Sequence, residues 1–67
     1  MELLTVKEVS KILKINVSDT YKLIKKGHIQ ALKLGSFKVT SVEIERFIKS
    51  ASGLDFSDLD NVKPLEI

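Results

Sequence analysis

The stretch Leu32-Lys33-Leu34-Gly35-Ser36-Phe37-Lys38-Val39 decides how this chain is read. Apolar residues and lysines alternate on both sides of Gly35-Ser36, which is the pattern of a half-buried β-hairpin. Gly at the first position of a two-residue turn suits a type II′ geometry, where φ is positive. Such a turn fixes a register in which Leu34 faces Phe37, Lys33 faces Lys38 and Leu32 faces Val39. Leu32, Leu34, Phe37 and Val39 are then expected on one apolar face, with Lys33 and Lys38 side by side on the other. Like charges directly opposite each other destabilise a hairpin. A solvated surface tolerates that cost, and a polyanion turns it into attraction.

Upstream of the hairpin the spacing predicts two short helices. Thr5 and Glu8 form a capping box, and Val6, Val9, Ile12 and Leu13 follow at helical spacing, so a first helix is expected over about 6–13. Ser10 is small and lies near that stripe, where it lets another helix come close. Lys14-Ile15 is the turn. Asn16 is an N-cap, Asp19 favours the positive end of the helix dipole, and a second helix is expected over about 17–26, with Thr20, Leu23 and Ile24 turned inward. Gly27 supplies the left-handed residue after its end. Two helices joined this tightly are a helix-turn-helix candidate. Downstream, Thr40 and Glu43 read as a second capping box, and Val42, Ile44, Phe47 and Ile48 give a third helix its stripe. Residues 54–67 read as a mostly irregular, flexible tail.

Sixty-seven residues make one small domain with a limited core. A hydrophobic share of 43% with 30% charged residues is that of a globular protein. With no cysteine, neither disulfides nor a zinc-thiolate site is available, and a reducing cytoplasm is expected. Neither a signal peptide nor a bilayer-spanning segment is expected. The net charge of +2 hides a division: residues 1–53 carry ten basic and five acidic residues, residues 54–67 one basic and four acidic. A basic body with an acidic tail points to a charged partner.

The segment from Leu3 to Ile48 resembles the excisionase-type, MerR-like winged helix-turn-helix family of DNA-binding domains. The residues that carry the resemblance are Leu4-Thr5-Val6-Lys7-Glu8-Val9-Ser10-Lys11-Ile12-Leu13, Tyr21-Lys22-Leu23-Ile24-Lys25-Lys26-Gly27, Leu34-Gly35-Ser36-Phe37-Lys38-Val39 and Glu43-Ile44-Glu45-Arg46-Phe47-Ile48. The fold class expected is α+β, mostly α: a helix-turn-helix, a two-stranded hairpin wing and a third helix over 1–53, followed by the tail. The resemblance implies a small bacterial or phage protein, a recombination directionality factor or a small transcription regulator, placed at the bacterial nucleoid. It implies that the second helix enters the major groove while the wing touches the adjacent minor groove or backbone. The chain departs from the family pattern at Val17, where an Arg is usual, and in its short wing without Arg. Guanidinium groups are the best bidentate readers of guanine, so relaxed base specificity is expected.

Phosphate contacts supply affinity and base contacts supply specificity. The phosphate candidates are Lys22, Lys25, Lys26, Lys33 and Lys38; about five neutralised phosphates would give log affinity a slope of about −4 to −5 against log salt. Ser18, Asp19, Tyr21 and Lys22 at the front of the second helix are base-reading candidates, Val17 is a contact for a thymine methyl, and Ser36 sits at the wing turn. Lys25 and Lys26 equally complement the negative end of the helix dipole, Asp19 equally serves as a cap, and Tyr21 equally fits a partly buried core. Phe37 is assigned to the core and the lone His28 to a solvated turn, with no metal. No nucleophile–base pair or glycine-rich phosphate loop is present, so neither an enzyme nor a cofactor is expected. Double-stranded DNA is the expected partner of a monomer that binds it cooperatively. Two alternatives use the same fold: a protein-interaction module whose acidic-apolar tail docks on a recombinase or polymerase or folds back over the basic face and screens it, and a small-terminase-like packaging factor.

Overall fold

Each helix begins where a side chain accepts the unpaired amides of the first turn. In the computed structural model, which describes residues 1–66, strand β1 (Leu3–Thr5) runs straight into helix α1 (Val6–Leu13). Thr5 Oγ1 accepts from the Glu8 amide at 3.1 Å and Glu8 Oε1 accepts from the Thr5 amide at 2.9 Å, completing the expected capping box. Asn16 Oδ1 accepts from the Asp19 amide at 2.7 Å and starts α2 (Val17–Lys25). That helix closes as a Schellman turn: His28 donates its amide to the Leu23 carbonyl and Gly27 donates to Ile24, with Gly27 at φ 82°. Strands β2 (Leu32–Leu34) and β3 (Ser36–Thr40) then lead into α3 (Ser41–Ala51). The three helices and the small antiparallel sheet make a winged helix-turn-helix of mixed α+β class.

The sheet has three strands, in the order β1-β3-β2, where sequence patterning gave two. Leu3–Thr5 looked like the lead into a helix because its apolar residues continue the stripe of α1. They pair instead with β3, Leu4 lying opposite Val39. The hairpin register also differs from expectation. Lys33 faces Phe37 and Leu32 faces Lys38, so Gly35, at φ 76°, is the only residue between the strands and Ser36 already belongs to β3. A shift of one residue sends every side chain to the other face. Val39 stays in the core, but Leu32 and Leu34 turn outward with 38% and 61% of their surface exposed. Lys33 and Lys38 end on opposite faces of the sheet, so the expected lysine pair does not form.

Leu4, Val9, Leu23, Ile29, Val39, Ile44 and Phe47 form the core, with β3 and all three helices around it. Within it α1 and α2 meet through two small hydroxyls. Ser10 Oγ and Thr20 Oγ1 lie 2.7 Å apart, with 4% and 0% of their surface exposed. The Val6 and Asn16 carbonyls lie within bonding distance of the same two hydroxyls; one proton bridges the oxygens and the other goes to a carbonyl, so neither buried oxygen is left unpaired. Thr40 caps α3 by accepting from the Glu43 amide at 3.1 Å, but the expected reciprocal bond is replaced. Glu43 Oε2 accepts from the Gln30 amide at 2.8 Å and pairs with Arg46 at 2.7 Å. Thr40 is meanwhile a ladder residue opposite Leu3.

Most of the segment after α3 is irregular, as its composition suggests, but it has definite contacts with the body. Strands β4 (Leu54–Asp55) and β5 (Lys63–Pro64) pair antiparallel, and Phe56 and Leu59 pack against the core. Ile67 at its end lies outside the described residues.

Ile29 is 1% exposed at the point where the chain leaves α2. Ile29→Val should cost about 1 kcal/mol and Ile29→Ala about 2–5 kcal/mol. A domain of this size holds only about 3–5 kcal/mol, so urea denaturation should give a shifted midpoint for the first variant and little folded protein for the second. Two unchanged midpoints would contradict this core.

Candidate nucleic-acid interface

Helical geometry sorts the exposed residues of α2 into a ridge and two flanks. At ~100° per residue, Ser18, Lys22 and Lys25 fall along one outward line, and all three are exposed. Val17, 41% exposed, and Tyr21 lie on the flank toward the hairpin. Asp19 and Lys26 lie on the opposite flank. Thr20 and Leu23 point back into the core. The ridge is therefore short, basic and free of large apolar groups.

The hairpin is fixed to α2 by an aromatic contact. Tyr21 and Phe37 meet edge to face with centroids 6.1 Å apart, an arrangement worth about 0.5–1.5 kcal/mol beyond area burial. Lys33 Nζ lies 5.4 Å from the Phe37 ring centre. This cation–π contact, about 0.5–1 kcal/mol at an exposed site, holds the ammonium on the side of the sheet that faces α2. The structure thus brings Val17, Ser18, Tyr21, Lys22, Lys25 and Lys33 to one continuous surface. Lys38 and Ser36 are not part of it. They sit on the outer sheet face, where Lys38 Nζ donates to Ser36 Oγ at 2.6 Å. Phe37 is half-buried and serves to position Tyr21 and Lys33.

Charges around this surface are partly satisfied. Lys22 pairs loosely with Asp19 at 3.9 Å, both well exposed. Lys26 pairs closely with Asp60 at 2.7 Å, and that hydrogen bond together with the attraction of Asp60 raises the Lys26 ammonium above its ordinary pKa. Lys25 and Lys33 form no ion pair among the described residues. Arg46, the only arginine, is engaged elsewhere. It donates to both Glu43 oxygens at 2.7 Å and to the His28 carbonyl at 3.1 Å, tying α3 to the end of α2. No guanidinium is left on the α2 surface.

His28 is a structural link, which corrects its assignment to a solvated turn. Its Nε2 is 2.7 Å from the Leu59 carbonyl and its ring meets Phe56 edge-on at 5.3 Å. Phe56 in turn tilts against Phe47 at 5.5 Å. Nothing in the local pattern around a single His marks such a long-range partner. Asp60 is the residue near the interface that sequence reasoning missed; its position depends on how Phe56 and Leu59 pack. Among the described residues no helix is long and apolar enough to cross a membrane.

A helix-turn-helix with an exposed basic ridge beside a hairpin defines a class of DNA-binding domains. Residues 3–52 match the family model described as a helix-turn-helix domain, and the chain belongs to that family. The match supports DNA as the partner. Neither the curated proteins nor the solved structures yield a match.

The Glu43 carboxylate is held below its ordinary value of 4.5, first by the Arg46 hydrogen bond and then by the Gln30 amide. A carboxylate depressed in the folded state stabilises the fold above its unfolded pKa and loses that contribution as pH falls through the folded value. Stability should therefore hold down to about pH 5 and decline below about pH 4.5. Glu43→Gln should cost about 1–2 kcal/mol at neutral pH and make the acid limb shallower, as read by thermal melts from pH 3 to 7. An unchanged acid limb in the variant would show that this carboxylate does not carry the dependence.

Proposed function

We propose that this chain is a double-stranded DNA-binding protein of the excisionase type, acting as an architectural factor for recombination or as a small transcription regulator. In this reading α2 enters the major groove and the hairpin rests on the adjacent backbone or minor groove. Lys22, Lys25 and Lys33 hold phosphates; Ser18 and Tyr21 reach base edges or sugars, Val17 meets a thymine methyl, and Asp19, in the first turn of the helix that Asn16 caps, meets a cytosine amine. Lys38 and Ser36 make a secondary backbone contact from the outer face of the hairpin. The bacterial nucleoid is the proposed location.

The observation that carries this reading is the Ser18–Lys22–Lys25 ridge. It is exposed on a helix that the core and the Tyr21–Phe37 contact hold in place. A helix already held in place lowers the ordering cost of binding. The single arginine is committed to Glu43 and the His28 carbonyl, so guanine is read without bidentate forks and base preference is weak. That favours a factor that shapes DNA at repeated sites over one that selects a single operator. The family match supports DNA as the partner. The apolar tail residues Phe56 and Leu59 are used inside the fold, which weighs against docking of the tail on a recombinase or polymerase.

With Lys26 held by Asp60, about four lysines remain for phosphates, and log affinity should fall with log salt at a slope of about −3 to −4. Lys22→Ala and Lys25→Ala should each make that slope shallower by about one and weaken all duplexes alike. Lys49→Ala on α3 should leave it unchanged. Fluorescence anisotropy on two unrelated duplexes over a salt series makes the comparison. No binding by the intact protein at tens of micromolar in low salt would end this reading.

A further inference from the structure

A helix seated in a groove has a phosphate backbone on each flank. On one flank of α2 stands the hairpin with Lys33. On the other lies the segment after α3, which runs past Asp19, Lys22 and Leu23 and leaves a cleft of about 370 Å³ against Phe56, Ser57 and Leu59. Two of its acids are on the helix side: Asp60 pairs with Lys26 at 2.7 Å, and Asp58 adds to the negative field at the same ammonium. A phosphate approaching this flank meets the two strap carboxylates in addition to Asp19, and a lysine that is already neutralised.

The anchor of the segment is separate from its charges. Phe56 rests on His28 and Phe47, the Leu59 carbonyl contacts His28 Nε2, and β4 pairs with β5. The Lys26–Asp60 pair itself is well exposed, with 48% and 70% of the two side chains accessible. Exposed pairs of this kind contribute little to stability. Within the turn Asp58 Oδ1 accepts from the Asp60 amide at 3.0 Å, a bond that an asparagine oxygen also makes, so the segment is held beside α2 by contacts that do not need the negative charges.

We propose that residues 54–64 form an autoinhibitory strap, in which Asp60 masks Lys26 and Asp58 and Asp60 together repel the DNA backbone on the flank of α2 away from the hairpin. The inference rests on the DNA-binding reading above. The strap lowers affinity without covering the ridge of α2, so it tunes binding in place of abolishing it. Whatever draws the strap aside, or neutralises its acids, frees Lys26 and opens the second flank.

The test compares the full chain with Asp58→Asn/Asp60→Asn on a random duplex over a salt series. The strap predicts affinity at least threefold tighter at low salt and a slope steeper by about 0.9, one further phosphate contact. Lys26→Gln should matter little in the intact chain but cancel most of that gain in the double-Asn background. Glu2→Gln/Glu45→Gln, which removes two exposed acids outside the strap, measures the effect of bulk charge alone. Equal affinity and slope for the chain and its double-Asn variant would overturn the strap, and so would a gain no larger than that of the double-Gln variant. If neither protein binds any duplex, the DNA reading falls and the strap with it. Thermal melts should coincide for the two proteins; a large loss of stability in the variant would place the acids in the anchor and overturn the separation proposed here.

Discussion

The contact between Ser10 and Thr20 sets the geometry on which the surface depends. Helices of eight and nine residues are marginal alone and take their stability from packing. Here the crossing is fixed by two small side chains that let the backbones approach and then bond, oxygen to oxygen, at 2.7 Å. Because Thr20 is fully buried, its position dictates the rotation of α2. Once Thr20 and Leu23 face inward, Ser18, Lys22 and Lys25 must face outward. The exposed basic ridge is the geometric complement of a buried hydroxyl pair.

The hairpin is placed by a second constraint, the register of β3 between β1 and β2. Val39 is buried opposite Leu4, so Phe37 shares its face and comes against Tyr21. That face carries Lys33 to the α2 side and leaves Lys38 on the other. A two-residue turn would have reversed part of this arrangement, taking the lysine pair to one face and Leu34 toward the core. The exposure of Leu32 and Leu34 follows from the same register. It leaves an apolar outer sheet face on the side away from α2.

The helices were legible in the sequence because their signals are local. Thr5 with Glu8, Asn16, and Gly27 mark ends through bonds spanning a few residues, and Ser10 announces close helix packing by its size alone. The register was not legible. Gly35-Ser36 supports both a two-residue and a one-residue connection, and the choice rests on Leu4 pairing with Val39 across thirty-five residues. Lys22, Lys25 and Lys26 stand out in the sequence as basic residues of the second helix, while the division between Lys33 and Lys38 depends on that register. His28, Glu43 and Asp60 were misjudged or missed for a related reason. Their partners, Leu59, Gln30 and Lys26, lie 13 to 34 residues away, and nothing in a local pattern encodes them.

The claim that binds these elements together is that one continuous surface, the α2 ridge with the inner side of the hairpin, meets DNA. Chemical-shift mapping of the labelled chain with a short duplex at low salt tests it most directly. The account predicts that the amides of Ser18, Tyr21, Lys22, Lys25 and Lys33 shift most, while those of Glu45 and Lys49 on α3 stay in place. Shifts concentrated on α3 or on the outer sheet face around Leu3 and Leu32, with the α2 ridge unmoved, would contradict it.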